Sequence, residues 1–330
     1  FNLIDGKDVD AVSNRRFETR NPAYFPDRVG SFPVSEAQDL DRALAAATRA
    51  YRSWKLVPAP IRANVIGELG RLVTEHKEAL SLFLTREIGK TPKEARGEVQ
   101  EVVDTCHFFQ SEGRRLYGMT VPSEMRNKEL FTYRKPYGVV AVITASNFPI
   151  AVPSWKIIPA ILCGNTVVWK TPKEAPGIGY LFAKLLQQAG VPGGVVNVVH
   201  GDVATAEAIL PFIDQGRIQK VSFTGSSRVG KIIGETCGRN LQSPSLELGG
   251  KNPMVVMEDA DLELAVEGAL WAGLGTAGQR CTSLGNLILH RPIAAKFKDM
   301  LLKKVSSIVV GNPNLGKPVL YGPMIAEHYM

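Results

Sequence analysis

The sequence predicts an α/β protein in which a doubly wound parallel sheet is followed by a second α/β unit. From residue 135 onward, short apolar runs rich in β-branched residues alternate with helical segments. This alternation is typical of parallel strands joined by helical crossovers. The chain has 330 residues, more than one hydrophobic core usually supports, so two domains are expected.

The region before residue 118 is predicted to be mainly helical after a short pair of strands. Residues 2–10 alternate weakly between apolar and polar, and Asp5-Gly6 indicates a turn between the strands. Apolar residues at helical spacing predict three helices, over residues 35–54, 61–87 and 92–117. Gly89 is placed to close the second helix. We interpret these helices as scaffold.

The large sheet is predicted from four short apolar runs, which are residues 139–144, 167–170, 195–199 and 220–224. A helix is predicted over residues 177–189. The last strand leads into the turn 225–230, which contains two glycines. Because doubly wound sheets bind dinucleotides at the carboxyl edge of their strands, we expect a nucleotide site at this edge.

A second unit is predicted after Gly249-Gly250, with strands over 253–257 and 284–290 and helices over 261–270 and 294–305. We place the domain boundary near Gly249, which gives a first domain of residues 1–249 and a second that begins at residue 250. The site is expected in the cleft between them, where ligands often bind.

Composition excludes several classes of function. The charge of +7 is scattered and contains no Lys/Arg block, so we expect no nucleic-acid partner. None of the four cysteines forms a Cys-x-x-Cys pair or clusters with histidines, so neither a metal site nor a disulfide framework is expected. No apolar run is long enough for a membrane span, and no signal-like start is present, so a cytoplasmic location is the expectation.

Three side chains form a plausible catalytic set. Cys281 follows a glycine-punctuated stretch in which a substrate could approach closely. Glu247 lies in the motif LELGGKNP, and Asn147 follows a strand-like run in the motif SNFP. A thiol, a carboxylate and a carboxamide are the nucleophile, base and oxyanion donor that oxidation through acyl transfer requires.

These motifs, in this order, resemble those of the NAD(P)-dependent aldehyde dehydrogenases, and the resemblance covers the whole chain. LELGGKNP followed by GQRC is its most specific part. It implies a Rossmann-like cofactor domain and a catalytic domain that bears Cys281. It also implies that Cys281 forms a thiohemiacetal and then a thioester, and that Glu247 activates the hydrolytic water. Asn147 would bind the developing oxyanion. The leucines beside Glu247 suggest a buried setting.

The resemblance adds further site residues. Lys156 matches a family lysine with a proton-relay role, although a solvated helix lysine is the open alternative. The implied substrate contacts are Phe148, Trp155, Arg280 and Thr282. The implied NAD or NADP contacts are Ile143, Thr144, Lys170, Lys173, Gly225, Ser226, Val229, Gly230, Leu248 and Gly249.

Cofactor preference depends on the residues that follow Lys170. Where NAD-preferring members often have a glutamate, this chain has Lys173, with Glu174 beside it. If Lys173 faces the ribose, its charge favours the 2′-phosphate of NADP. If Glu174 faces it instead, NAD is favoured. We expect use of both, with NADP competent.

The sequence says less about the substrate and the oligomeric state. Ser146, where many members have tryptophan, resembles the semialdehyde-oxidising branch that includes α-aminoadipic semialdehyde dehydrogenase. A CoA-acylating member and a catalytically silent structural homologue are the alternatives. The resemblance implies a homodimer or homotetramer joined partly by a hairpin arm over residues 121–136. Because residues 321–325 resemble a segment well inside the family's catalytic domain, we expect the chain to be truncated at its C-terminus.

Overall fold

The structure is a computed structural model that describes residues 1–315 and 319–329. Its strands are β1 (Asn2–Ile4), β2 (Lys7–Val9), β3 (Arg16–Arg20), β4 (Arg28–Pro33), β5 (Thr120–Val121), β6 (Leu130–Phe131), β7 (Val139–Ile143), β8 (Thr166–Lys170), β9 (Val196–Val199), β10 (Lys220–Gly225), β11 (Ser245–Leu248), β12 (Asn252–Val256) and β13 (Leu284–Leu289). Its α-helices are α1 (Ala37–Trp54), α2 (Ala59–Glu75), α3 (Lys77–Ile88), α4 (Pro92–Glu112), α5 (Ala151–Leu162), α6 (Pro176–Gln188), α7 (Val203–Glu207), α8 (Leu210–Asp214), α9 (Ser227–Arg239), α10 (Leu262–Leu274) and α11 (Arg291–Ser306).

The main sheet has seven strands in the order β11-β10-β7-β8-β9-β1-β2. Its first five strands are parallel, and β1 and β2 add an antiparallel edge. After β9 the chain returns to the other side of β7 to form β10. Strand order therefore reverses between β7 and β10, and ligands bind at such a switch point in doubly wound sheets.

Both faces of the main sheet are covered by helices, as its alternating side chains require. Val139, Ala141 and Ile143 pack into a core with α1, α8 and α9. Val140 and Val142 pack into the opposite core with helices α2 to α6. The predicted doubly wound architecture is confirmed.

The second unit has its own small core. Strands β12 and β13 form a separate parallel pair. Val256, Val266, Ala269 and Phe297 are buried between this pair and helices α10 and α11. The chain passes from the seven-stranded sheet to the β12–β13 pair between β11 and β12. The predicted domain limits themselves remain a prediction.

Several elements differ from the sequence predictions. The helix predicted over residues 61–87 is two helices, because His76 leaves helical geometry with φ −94° and ψ 10°. The β3–β4 hairpin was not predicted. Neither was α5, because its less buried face carries Trp155, Pro159 and Ala160 beside Lys156, so apolar residues occur on both faces and give little amphipathic pattern. Strand β11, only four residues long, was also missed.

The predicted arm is a short antiparallel hairpin of β5 and β6. It exposes Met119, Val121, Phe131 and Tyr133. Among the described residues, none of the helices combines the length and the apolar character that crossing a bilayer requires.

Candidate active site

The thiol lies on a loop with unusual backbone geometry. Helix α10 ends in a 3₁₀ turn in which Thr276 and Ala277 both have φ of 55°, followed by Gly278 with φ of 73°. Left-handed geometry is unfavourable for threonine and alanine, so the surrounding structure must hold this turn in place. The turn leads directly to Cys281, whose side chain is exposed.

Cys281 lies on the wall of a cleft of about 780 Å³. Glu247, Lys156, Trp155 and Thr224 line the same cleft from the first unit. The sequence-predicted nucleophile, base and lysine are therefore brought together, although they are separated by up to 125 residues in sequence. Cys163 also lines the cleft, but burial raises the pKa of its thiol and makes it a weaker nucleophile.

Asn147 contacts the thiol loop directly. Its Nδ2 donates a hydrogen bond of 2.8 Å to the carbonyl of Gln279, and its Oδ1 accepts one of 3.1 Å from the Phe148 N–H. A carboxamide has two N–H donors, so one remains for an oxyanion. Within the part of the chain that the structure describes, the Cys281 N–H also donates no hydrogen bond. Asn147 thus contacts the loop that bears the thiol and keeps one N–H that this contact does not use.

Lys156 is partly buried and is not the freely solvated lysine of the alternative interpretation. From α5 its Nζ donates to Ser222 Oγ at 3.1 Å and to the Phe223 carbonyl at 3.3 Å. Burial lowers the pKa of Lys156 to about 8, and the nearby Glu247 carboxylate partly opposes that shift. A lysine with this pKa can exchange protons near neutral pH.

Glu247 is exposed, so the predicted buried setting is wrong. The reason is strand alternation: Leu246 and Leu248 pack toward the core, and Glu247 points to the opposite face. In the parallel register Glu247 is paired with Thr224. Its place on β11, the edge strand, gives the carboxylate access to water in the cleft.

The predicted cofactor residues lie at the carboxyl ends of four adjacent strands. Ile143 ends β7 and Thr144 follows it, Lys170 ends β8, Gly225 ends β10 and Leu248 ends β11. The Thr144 hydroxyl accepts from Trp169 Nε1 at 3.0 Å, so this side chain faces inward.

Helix α9 begins at the same edge. Ser226 is its N-cap and accepts a hydrogen bond from the Val229 N–H. A Cβ on Gly230 would lie 2.6 Å from Leu248 Cδ2, so glycine allows α9 to pack closely on β11. The amides of such a helix N-terminus attract a pyrophosphate. Gly249, next in the chain, is exposed.

Lys170 is a buried cation at this edge. Burial lowers the pKa of its ammonium to about 8, while Glu174 and Asp202 oppose that shift and Lys173 adds to it. Among the described residues, no carboxylate lies within 4.0 Å of its Nζ, so no salt bridge neutralises it. A buried ammonium and a helix N-terminus at the same edge of the sheet fit an anionic ligand that also bears hydroxyls, such as NAD(P). Asp202, the N-cap of α7, is one of the two carboxylates that oppose the lowering of the Lys170 pKa, and the sequence analysis did not single it out.

The residues that follow Lys170 differ in exposure. Lys173 is exposed, whereas Glu174 is half-buried and lies 3.7 Å from His328 Nε2. The arrangement therefore contains both charges on which cofactor preference depends.

Only one of the four predicted substrate contacts lines the cleft, namely Trp155. Phe148 lies under the Lys90 ammonium, with Nζ 3.4 Å from the ring centre. The Arg280 guanidinium lies 4.6 Å from the centre of the Trp271 ring and 3.8 Å from the Glu94 carboxylate, and it does not line the cleft. Thr282 is exposed beside Cys281 but does not line the cleft.

A doubly wound sheet with a helix N-terminus at its carboxyl edge, together with a cleft that holds a thiol and a carboxylate, is typical of a dinucleotide-dependent oxidoreductase. The sequence model of the aldehyde dehydrogenase family matches residues 9–330. The chain belongs to the aldehyde dehydrogenase family and is an NAD(P)-dependent oxidoreductase that acts on the aldehyde group.

Individual relatives agree with this assignment. The α-ketoglutaric semialdehyde dehydrogenase of Bacillus subtilis (strain 168) is 35% identical over 100% of this chain and 67% of that protein. The succinate-semialdehyde dehydrogenase (NADP(+)) of Escherichia coli (strain K12) is 36% identical over 98% of this chain and 67% of that protein. A crystal structure of Staphylococcus aureus betaine aldehyde dehydrogenase with NAD+ has a TM-score of 0.95 and 29% identity, over 99% of this chain and 65% of that one. The chain thus spans about two thirds of each of them.

Proposed function

We propose that the protein oxidises a semialdehyde to the carboxylic acid through a covalent adduct on Cys281. The observation that supports this most directly is the cleft in which Cys281, Glu247 and Lys156 meet. Semialdehyde substrates also appear in the names of two of the relatives.

In the first half of the reaction, the Cys281 thiol gives its proton to the neutral amine of Lys156 or to water in the cleft, and its sulfur forms a bond to the aldehyde carbon. The carbonyl π electron pair moves to oxygen. The second N–H of Asn147 and the Cys281 N–H stabilise that oxygen, and one such donor is typically worth about a hundredfold or more in rate. NAD(P)+, when bound, supplies the acceptor for the hydride that the carbon then loses. A thioester on Cys281 remains.

In the second half, Glu247 takes a proton from water as the water oxygen bonds to the thioester carbon. The carbon–sulfur bond breaks, and the proton held by Glu247 passes to the sulfur, which releases the acid and returns both the thiol and the carboxylate. The exposed position of Glu247 favours this role, since water reaches it directly. The presence of a base for hydrolysis also disfavours the CoA-acylating alternative, in which no such base is needed.

The charge of the cleft supports an acidic aldehyde. Its lining contains several cations, namely Lys55, Arg62, Arg134, Lys135, Lys156 and Lys220. Glu247 is the one carboxylate that the described residues contribute to the lining. A cleft of this charge raises the local concentration of an anionic substrate.

The first test is turnover with a panel of semialdehydes, with NAD+ and NADP+ supplied separately. We expect reduced cofactor to accumulate with both, and faster with acidic aldehydes than with uncharged aldehydes of equal length. The ratio of the two cofactors would show whether Lys173 or Glu174 faces the ribose. Cofactor binding without turnover on any aldehyde would favour the catalytically silent alternative.

A second expectation concerns pH. Because burial lowers the pKa of Lys156 to about 8, its ammonium becomes a neutral amine as the pH rises through that value. A neutral amine can accept a proton released in the cleft, so kcat should rise through an apparent pKa near 8. The Lys156→Met variant should lack this rising limb, and so should Lys156→Arg, which stays charged. A limb that persists in both variants would assign it to another group.

The proposal extends to assembly and location. The exposed apolar residues of the β5–β6 hairpin are consistent with a contact in a homodimer or homotetramer. We propose a cytoplasmic location on the grounds of composition given above.

A further inference from the structure

Two buried carboxylates of helix α4 lie beneath the catalytic loops without taking part in the chemistry. They are Glu94 and Glu98, one helical turn apart, and both side chains are almost fully buried. Together we term them the carboxylate anchor. Buried carboxylates are costly unless their oxygens are satisfied, so their partners indicate what they do.

Glu94 binds the loop that bears the thiol. Its Oε1 accepts a hydrogen bond of 2.7 Å from the N–H of Thr276, the first left-handed residue of that loop. Its Oε2 accepts from the N–H and hydroxyl of Thr91, the N-cap of α4. Arg280, one residue before the nucleophile, approaches the same carboxylate at 3.8 Å. Glu94 therefore holds the start of the left-handed turn to α4 and lies close to the Arg280 guanidinium beyond its end.

Glu98 binds the loop that follows the oxyanion donor. Its Oε1 accepts from the N–H groups of Ile150 and Ala151, at 3.0 and 3.2 Å, where α5 begins. Its Oε2 accepts from the ammonium of Lys90, which in turn lies over the ring of Phe148. Glu98 thus holds the segment immediately after Asn147.

We propose that Glu94 and Glu98 are positioning residues that set the separation between the Asn147 carboxamide and the Cys281 thiol. One rigid helix holds both loops, and the loops meet each other where Asn147 Nδ2 donates to the Gln279 carbonyl. Misplacement of reacting groups by about 1 Å can cost about a hundredfold in rate. This inference rests on the proposed function for its catalytic consequence, but its structural part does not.

Amide hydrogen exchange in the full-length protein tests the structural part without any turnover. Glu94→Ala should accelerate exchange in peptides that cover residues 275–281, about tenfold or more, and leave residues 150–152 unchanged. Glu98→Ala should do the reverse. The control is Glu78→Ala on α3, which breaks an exposed ion pair with Arg96 of α4 and should leave exchange in both segments unchanged. If Glu94→Ala and Glu98→Ala leave both segments as protected as in the wild type, the carboxylates are not anchors.

Kinetics tests the catalytic part. Glu94→Ala should lower kcat about a hundredfold with little change in the KM for the aldehyde or the Kd for NAD(P)+. If the alanine variant does not fold, Glu94→Gln, which keeps one acceptor oxygen, should show a smaller loss of the same kind.

A double-mutant cycle separates positioning from general destabilisation. In an Asn147→Ala background the donor to be aligned is already absent, so Glu94→Ala should cost much less than in the wild type. Equal losses in both backgrounds would overturn the inference. An inactive wild type would instead contradict the proposed function, and the exchange experiment would still decide whether the anchor exists.

Discussion

Replacing Cys281 with alanine is expected to abolish aldehyde oxidation while leaving cofactor binding intact. Of the two thiols that line the cleft, that of Cys281 is exposed, whereas burial raises the pKa of Cys163 and weakens it as a nucleophile. Removal of a catalytic nucleophile typically costs more than about ten-thousandfold in rate. The predicted cofactor residues lie at and after strand ends of the first unit, so their geometry is not expected to depend on this side chain.

The measurement is steady-state production of NAD(P)H together with a fluorescence titration of NAD(P)+ binding. Cys163→Ala is the matched control, because it removes the other thiol of the same cleft and should keep activity. Retained turnover in Cys281→Ala, or its loss only in Cys163→Ala, would contradict the mechanism.

Replacing Glu247 with glutamine is expected to separate the two halves of the reaction. Glutamine has nearly the same shape but cannot accept a proton, so the thioester should form and then hydrolyse slowly. Rapid mixing should show a burst of about one reduced cofactor per active site. The steady state after the burst should be slower by about a hundred- to ten-thousandfold.

The control is the exposed Glu235→Gln on α9, which should show normal turnover. Steady-state turnover in Glu247→Gln equal to that of the wild type would assign the base to another group. Rescue of the stalled thioester by CoA, but not by water, would revive the acylating alternative.

The sequence predicts much of the large sheet because its strands are buried on both faces. The runs 139–144 and 167–170 are continuous and apolar, and they match β7 and β8 closely. Strand β11 was missed because an edge strand of four residues with one carboxylate gives too little pattern. The same omission explains the wrong setting of Glu247: without the strand, its leucine neighbours could not be assigned to the opposite face.

Sequence motifs identified some of the site residues but did not indicate the surroundings of others. Cys281, Glu247 and Lys156 were identified from motifs, and the structure places all three on one cleft. Arg280 was expected to contact the substrate, and this stays a prediction; in the structure its guanidinium lies over Trp271 and near Glu94. Threonine and alanine rarely adopt left-handed geometry, so nothing in residues 276–277 indicates the turn that precedes Arg280.

Glu94 and Glu98 were invisible to sequence reasoning for a related reason. Charged residues in a helix usually face water, and only tertiary contacts show that these two are buried. The capping box of Thr91 and Glu94 is a local signal, but it predicts a helix start and not a contact with a loop more than 180 residues away.

The left-handed turn sets a limit on engineering this protein for higher thermostability. Two non-glycine residues with φ of 55° hold conformational strain of about 1–3 kcal/mol each. Glycine at position 276 or 277 removes that strain, so selection for thermostability is expected to favour it. The same change allows the loop more backbone conformations, and the position of the Cys281 thiol becomes less well defined. Thermostability and turnover therefore compete at these two residues, and a library designed for one should exclude them if it is meant to keep the other.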